Sequence, residues 1–260
     1  MKRLLLFFSI TFAISWISWG SLIGLVNADV VSFGDSIYMI LFLVGGFGPT
    51  ISPFLSIVFT KSDGNFREYF SRLFQWKLHP IWYFIIFTLP VVVTFSIYQT
   101  LRIFDSTANT QLQPWYMFFP LLLSMIFLGG LEELGWRGVA LPVLLQKYNV
   151  WTTNVILAIV WAVWHLPLFF LNGTSQNEAN FWLFGLSVYG FTTILTWLYR
   201  ETNSILVCVL LHAAINASFG MGYITLQTNL EMAVYAGIMT VIGVVVSIYS
   251  NNKIKANVAM

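Results

Sequence analysis

The chain has 260 residues, of which 58% are hydrophobic and only 8% are charged, and its formal net charge at pH 7 is +2. Soluble domains carry about 25% charged residues, so this composition cannot cover a water-exposed surface and excludes a soluble globular protein. We therefore expect an all-α polytopic membrane protein in contact with the lipid bilayer, with no nucleic-acid partner.

Apolar stretches long enough to cross a bilayer follow one another along the whole chain. A spanning helix needs roughly 20 apolar residues, which predicts about eight transmembrane helices. The stretches cover about residues 4–26, 37–60, 80–101, 115–141, 150–171, 181–199, 203–225 and 231–249. The connections are too short to hold a soluble domain, so residues 1–260 are predicted to form a single membrane domain. The first stretch is longer than the ~7–15 residues of a signal-peptide core, which favours a retained anchor.

The basic residues fall on one side of the membrane if eight spans alternate from a cytoplasmic N-terminus. That side then holds Lys2, Arg3, Lys61, Arg67, Arg72, Lys77, Lys147, Arg200, Lys253 and Lys255. Arg102 is the basic residue left on the other side, together with Asp29, Asp35, Asp105, Glu178 and Glu231. Cytoplasmic loops of membrane proteins carry an excess of Lys and Arg, so both termini are predicted to be cytoplasmic.

Three charged residues interrupt the fourth apolar stretch: Glu132, Glu133 and Arg137. A charge at the centre of a bilayer costs at least ~2.5–3.5 kcal/mol, and residues that bear this cost are usually functional. Glu133 and Arg137 have the i, i+4 spacing, acid first, that favours an ion pair on a helix. We therefore interpret Glu133–Arg137 as a structural ion pair, which leaves Glu132 as the carboxylate available for chemistry.

Two histidines lie inside predicted spans, His165 in the fifth and His212 in the seventh. Asn216 follows His212 by four residues, so the two side chains share one helix face. Glu132 and His165 lie roughly 25 Å along their helices from the turn near Tyr148, at 1.5 Å per residue. The carboxylate and the histidines are therefore predicted to meet at similar depth inside the membrane.

These residues form three short motifs in a fixed order: Glu132-Glu133-x-x-x-Arg137, Trp161-x-x-x-His165 and His212-x-x-x-Asn216. Together they resemble the motifs of the CPBP intramembrane proteases. That family includes the type II CAAX prenyl endopeptidases and bacterial relatives linked to bacteriocin immunity or peptide-pheromone processing. The resemblance covers a protease core of about residues 115–220, and its one departure is Trp161, where the family usually has Phe.

The resemblance implies an intramembrane endopeptidase of a bacterial plasma membrane, with a membrane-embedded protein or peptide as its substrate. No Ser/His/Asp pattern is present, and nothing near Cys208 in the sequence marks it as a nucleophile, so water is the expected attacking group. By the same resemblance, Glu132 is the general base aided by His165, while His212 and Asn216 donate hydrogen bonds to the oxyanion.

A metal-dependent mechanism is the alternative. Glu132, His165 and His212 make a His₂Glu set, which is a usual ligand set for catalytic zinc with one open position. Glu133 would then be the natural general base, but its pairing with Arg137 argues against that role. The spacing of these residues leaves both mechanisms open.

Two other functions fit the same residues. One is a non-catalytic membrane binding or immunity protein built on this scaffold. The other is a small-solute transporter, although no inverted repeat of the kind common in transporters is visible.

Overall fold

A computed structural model describes residues 1–60, 66–104, 112–177, 179–222, 226 and 228–258, without the side chains of residues 251–258. Every regular element in these residues is a helix, which confirms the all-α fold class. Lys61, Asp105 and Glu178, used above for the topology, lie outside the described residues, as do the side chains of Lys253 and Lys255.

Six helical segments of the described chain are long and apolar enough to cross a membrane. They are Lys2–Asn27, Ile81–Ile103, Trp115–Leu145, Val150–Phe170, Phe181–Thr202 and Asn229–Ser250. The continuous helices within them are α1 (Lys2–Asn27), α5 (Ile81–Ile103), α6 (Phe118–Leu128), α9 (Val150–Trp164), α10 (Phe181–Thr202) and α12 (Asn229–Val258).

Of the remaining two predicted spans, one is bent and the other is short. The second consists of α2 (Ser36–Gly46) and α3 (Gly48–Phe59), which are bent by 48° at Phe47 and together pass as one span. The seventh is α11 (Ile205–Gly220), which has 16 residues and is about 24 Å long, short of a hydrocarbon core of about 30 Å. The structure therefore agrees with about eight membrane segments in the predicted order.

The fourth span is interrupted where the sequence predicts a continuous helix. After α6, Gly129 leads into a 3₁₀ turn (Gly130–Glu132), a short helix α7 (Glu133–Gly135), a π-helix (Trp136–Ala140) and α8 (Leu141–Leu145). A Cβ atom on Gly130 would lie 2.9 Å from the carbonyl oxygen of Val209 in α11, so a glycine here allows the broken segment to approach that helix. Such π-turns are frequent at functional sites, and this one begins three residues after Glu133.

A short surface helix packs against the broken segment of the fourth span. It is α4 (Phe66–Leu73), whose Phe66 and Phe70 rings stack 6.0 Å apart on its exposed side. Tyr69 points the other way, is 2% exposed, and its hydroxyl donates a hydrogen bond to the carbonyl oxygen of Leu134 over 2.9 Å. Burial raises the pKa of Tyr69 above its usual range.

Helices α10 and α12 complete the bundle on the other side of the site. A Cβ atom on Gly190 of α10 would lie 2.4 Å from the backbone of Met239 in α12. Small residues allow helices in membranes to pack this closely. The close packing of α12 against α10 fixes the position of α10, whose Phe184 and Phe191 rings line the cavity of the candidate site.

Candidate active site

The structure brings four of the predicted site residues to one cavity. Glu132, His165, His212 and Asn216 all line a cavity of about 510 Å³. They come from the 3₁₀ turn of the fourth span, the end of α9 and the middle of α11. The cavity walls are mainly aromatic and aliphatic, including Phe184 and Phe191. Polar groups in such surroundings interact strongly because little water screens them.

Two tryptophans hold the carboxylate of Glu132. The indole N–H of Trp161 donates to Oε2 over 2.8 Å, and that of Trp136 donates to the same oxygen over 3.3 Å. No hydrogen bond from a described residue to Oε1 is found. The indoles therefore fix the orientation of the carboxylate, and Oε1 is left available to a molecule bound in the cavity.

His165 caps α9 and uses one ring nitrogen to do so. Its Nδ1 lies 2.9 Å from the carbonyl oxygen of Trp161. A carbonyl oxygen only accepts hydrogen bonds, so Nδ1 carries the proton, and Nε2 of the neutral ring has a free lone pair. The rings of Trp164 and Phe184 pack against the imidazole with centroids 4.5 and 5.1 Å away, which fixes its plane.

Glu133 lies at the centre of a fully buried charged network. Its Oε2 is 2.9 Å from Nη1 of Arg137, and both side chains are 0% exposed. The opposite oxygen, Oε1, lies 2.8 Å from Nδ1 of His212. Arg137 also donates from Nη2 to the carbonyl oxygen of Thr192 over 3.3 Å and lies 4.9 Å from the centre of the Trp161 ring. Glu133 thus contacts both a cation and a histidine of the cavity, and the second contact was not predicted.

Gly129 leaves space in front of His212 and Asn216. A Cβ atom on Gly129 would lie 2.5 Å from Nδ2 of Asn216 and 3.2 Å from Nε2 of His212. The two nitrogens therefore converge on one small region, as donors to an oxyanion do. Because φ of Gly129 is −174°, an extended value open to any residue, the glycine is needed for this space and not for its backbone conformation.

The residues proposed above as zinc ligands make hydrogen bonds to protein groups. Among the described residues, no group of three or more His, Cys, Asp or Glu side chains is arranged to hold a metal ion. His212 turns Nδ1 toward Glu133, and Glu132 binds two indoles through Oε2. These hydrogen bonds engage Nδ1 of His212 and Oε2 of Glu132, and the zinc alternative stays a prediction.

Sequence reasoning overlooked three contributors to the site: Trp136, Gly129 and the contact between Glu133 and His212. Trp136 follows Glu132 by four residues, a spacing that places the two on one helix face, so a signal was present. Gly129 precedes the charged cluster, but its function depends on α11, and no sequence pattern reveals that neighbour.

Comparison with known proteins supports the family resemblance. Residues 113–218 match the sequence model of the family described as type II CAAX prenyl endopeptidase Rce1-like. The chain is also 27% identical over 263 residues to a CAAX prenyl protease 2 of Methanococcus maripaludis, an alignment that covers 94% of this chain and 93% of that protein. Both findings confirm the resemblance predicted from the three motifs, and they support a CAAX-endopeptidase-like protease.

Proposed function

We propose that this CAAX-endopeptidase-like membrane protease hydrolyses a peptide bond of a membrane-associated protein or peptide, using water activated by Glu132 and His165. The observation that carries the proposal is the convergence of Glu132, His165, His212 and Asn216 on one cavity within the membrane segments. No observation favours the transporter or the non-catalytic binding protein over this function.

The arrangement suggests how the residues divide the reaction. Oε1 of Glu132 takes a proton from the water, while Nε2 of His165 accepts a hydrogen bond from the same molecule. The hydroxide formed attacks the peptide carbonyl carbon. When the C–N bond breaks, Glu132 returns its proton to the leaving amine. A positioned base and acid of this kind typically contributes 10²–10⁴-fold to the rate.

The tetrahedral intermediate carries a negative oxygen that needs hydrogen-bond donors. Nδ2 of Asn216 supplies one donor in the space beside Gly129. An imidazolium carries N–H on both nitrogens, so His212 can bond Glu133 through Nδ1 and the oxyanion through Nε2. Glu133 and Arg137 then act as positioning residues that hold His212.

The test compares wild-type protein with Glu132→Gln in purified form and in cells. Because the family model names CAAX prenyl substrates, the probe is a quenched fluorogenic peptide ending in a farnesylated CAAX sequence, with its non-farnesylated counterpart beside it. Membrane-associated peptides from expressing cells are compared by mass spectrometry in parallel. We expect Glu132→Gln to abolish cleavage while the protein still folds, because glutamine can accept the two indole hydrogen bonds.

The matched control is Glu68→Gln, the same change at an exposed glutamate of α4 that does not line the cavity. This variant should cleave like the wild type. Identical probe cleavage and identical cellular peptides from wild type and Glu132→Gln would refute the proposed function.

A further inference from the structure

Contacts between neighbouring helices define the two ends of the bundle. Nε of Arg3, at the beginning of α1, donates to Oγ1 of Thr60 after α3 over 3.3 Å. Nη1 of Arg72 in α4 donates to the hydroxyl of Tyr199, near the end of α10, over 2.6 Å. We call this the basic end, because its segments hold Lys2, Arg3, Arg67, Arg72, Lys77 and Arg200.

The opposite end is defined by two contacts that involve other helices and the segments next to them. The hydroxyl of Tyr38, at the start of α2, donates to the carbonyl oxygen of Asn172, which follows α9, over 2.5 Å. The backbone N–H of Gln113, before α6, donates to the carbonyl oxygen of Met221, which follows α11, over 3.0 Å. The connections after α1, α9 and α11 therefore lie at the opposite end.

The active-site cavity reaches the surface at this opposite end. Gly173 and Ser175, in the loop after α9, are exposed and also line the cavity that holds Glu132. Phe219, close to the end of α11, and Trp19, in the last third of α1, line the same cavity. The lining therefore extends from the catalytic groups toward the opposite end.

The protein is closely packed between the catalytic groups and the basic end. Glu133, Trp136 and Arg137 are each 0% exposed. Tyr69 of α4, 2% exposed, packs next and is hydrogen-bonded to the carbonyl oxygen of Leu134. None of the residues of α4 lines the cavity, so in this arrangement a substrate cannot enter from the basic end.

We infer that the substrate is a peptide segment presented on the non-cytoplasmic side of the membrane, such as part of an exported precursor, and that it enters past the loop around Ser175. Basic residues mark the cytoplasmic side of membrane proteins, which places the basic end in the cytoplasm and the cavity entrance on the other side. This inference rests on the proposed function and adds the side from which the substrate comes. Polar Thr174, Ser175 and Gln176 at the entrance suit a peptide backbone, and the aromatic walls below suit apolar side chains.

Single-cysteine reporters test, separately from catalysis, on which side of the membrane the cavity opens and which path the substrate takes. Ser175→Cys lies at the entrance, Ser187→Cys lies within the cavity and Ser71→Cys lies on α4 at the basic end. The native Cys208 is 0% exposed, so the wild-type protein serves as the unlabelled control. Expressing bacterial cells are treated, intact or permeabilised, with a small anionic methanethiosulfonate that does not cross membranes.

We expect Ser175→Cys and Ser187→Cys to be labelled in intact cells, and Ser71→Cys only after permeabilisation. Labelling of Ser71→Cys in intact cells would overturn the inferred side. Failure to label Ser187→Cys in intact cells, whether or not it reacts after permeabilisation, would overturn the inferred entrance.

Attachment of a polyethylene glycol maleimide to purified protein then tests the path for the peptide. Modified Ser175→Cys should lose cleavage of the fluorogenic probe, whereas modified Ser71→Cys should keep it. Unchanged cleavage by modified Ser175→Cys would contradict the path. The labelling pattern is also read in a Glu132→Gln background, where no catalysis is required, so a failure of the proposed function is distinguishable from a wrong orientation.

Discussion

Replacing Glu133 with glutamine removes one charge from a buried network and should lower both stability and activity. For charges 2.9 Å apart, Coulomb's law with an effective dielectric constant of about 20 gives an attraction of roughly 6 kcal/mol. The glutamine oxygen can still accept a hydrogen bond from Arg137, but the guanidinium then has no charged partner and keeps only neutral ones, including the carbonyl oxygen of Thr192 and the Trp161 ring. Loss of one partner of a buried ion pair costs about 3–5 kcal/mol, a large part of the 5–15 kcal/mol that stabilises a typical protein.

The effect on activity has a separate cause. In Glu133→Gln the Nδ1–H of His212 no longer faces a carboxylate, so the imidazole loses the charged acceptor that orients it. The assay combines the free energy of unfolding in mixed micelles with kcat on the fluorogenic probe. A Glu133→Gln protein with wild-type stability would refute the proposed contribution of the ion pair.

A double variant separates the two effects. Glu133→Gln combined with Arg137→Met removes both charges of the ion pair, so its stability should recover relative to Glu133→Gln alone. Its cleavage should remain low, because His212 still has no carboxylate partner. Recovery of both stability and kcat would show that Glu133 acts through charge balance alone and does not position His212.

Three further predictions concern the reacting groups. Strong chelators should leave activity unchanged, and Asn216→Ala should lower kcat by about 10²–10³. Loss of activity on chelation, together with an unchanged kcat in Asn216→Ala, would support the zinc mechanism. Gly129→Ala should fold but lose kcat by a similar factor, because its methyl group would occupy the space beside Asn216. The control is Gly46→Ala, since Gly46 also lines the cavity but has nothing within 4 Å of an added Cβ. Equal activity in the two variants would count against an oxyanion pocket. Trp161→Phe should lower kcat more than it raises KM, because Glu132 loses its 2.8 Å hydrogen bond. Wild-type kcat in this variant would show that the indole does not orient the base.

Much of the membrane architecture could be predicted from the sequence. A span requires about 20 apolar residues and the burial of its backbone hydrogen bonds, so hydropathy alone indicates the number and order of the segments. The same reasoning marks Glu132, Glu133 and Arg137 as exceptional, because charge is costly in this environment. The spacing of His212 and Asn216 likewise depends only on the helix period.

The arrangement of the site was decided by tertiary structure. The hydrogen bond between Trp161 and Glu132 joins positions 29 residues apart, and that between His212 and Glu133 joins positions 79 apart. Sequence spacing identifies neighbours within one helix, but not which face of one helix meets another. The break at Gly129 has the same origin, because it depends on the approach of α11. The sequence by itself therefore determined which polar groups enter the membrane, and the packing of the fourth span, α9 and α11 determined which of those groups line the cavity.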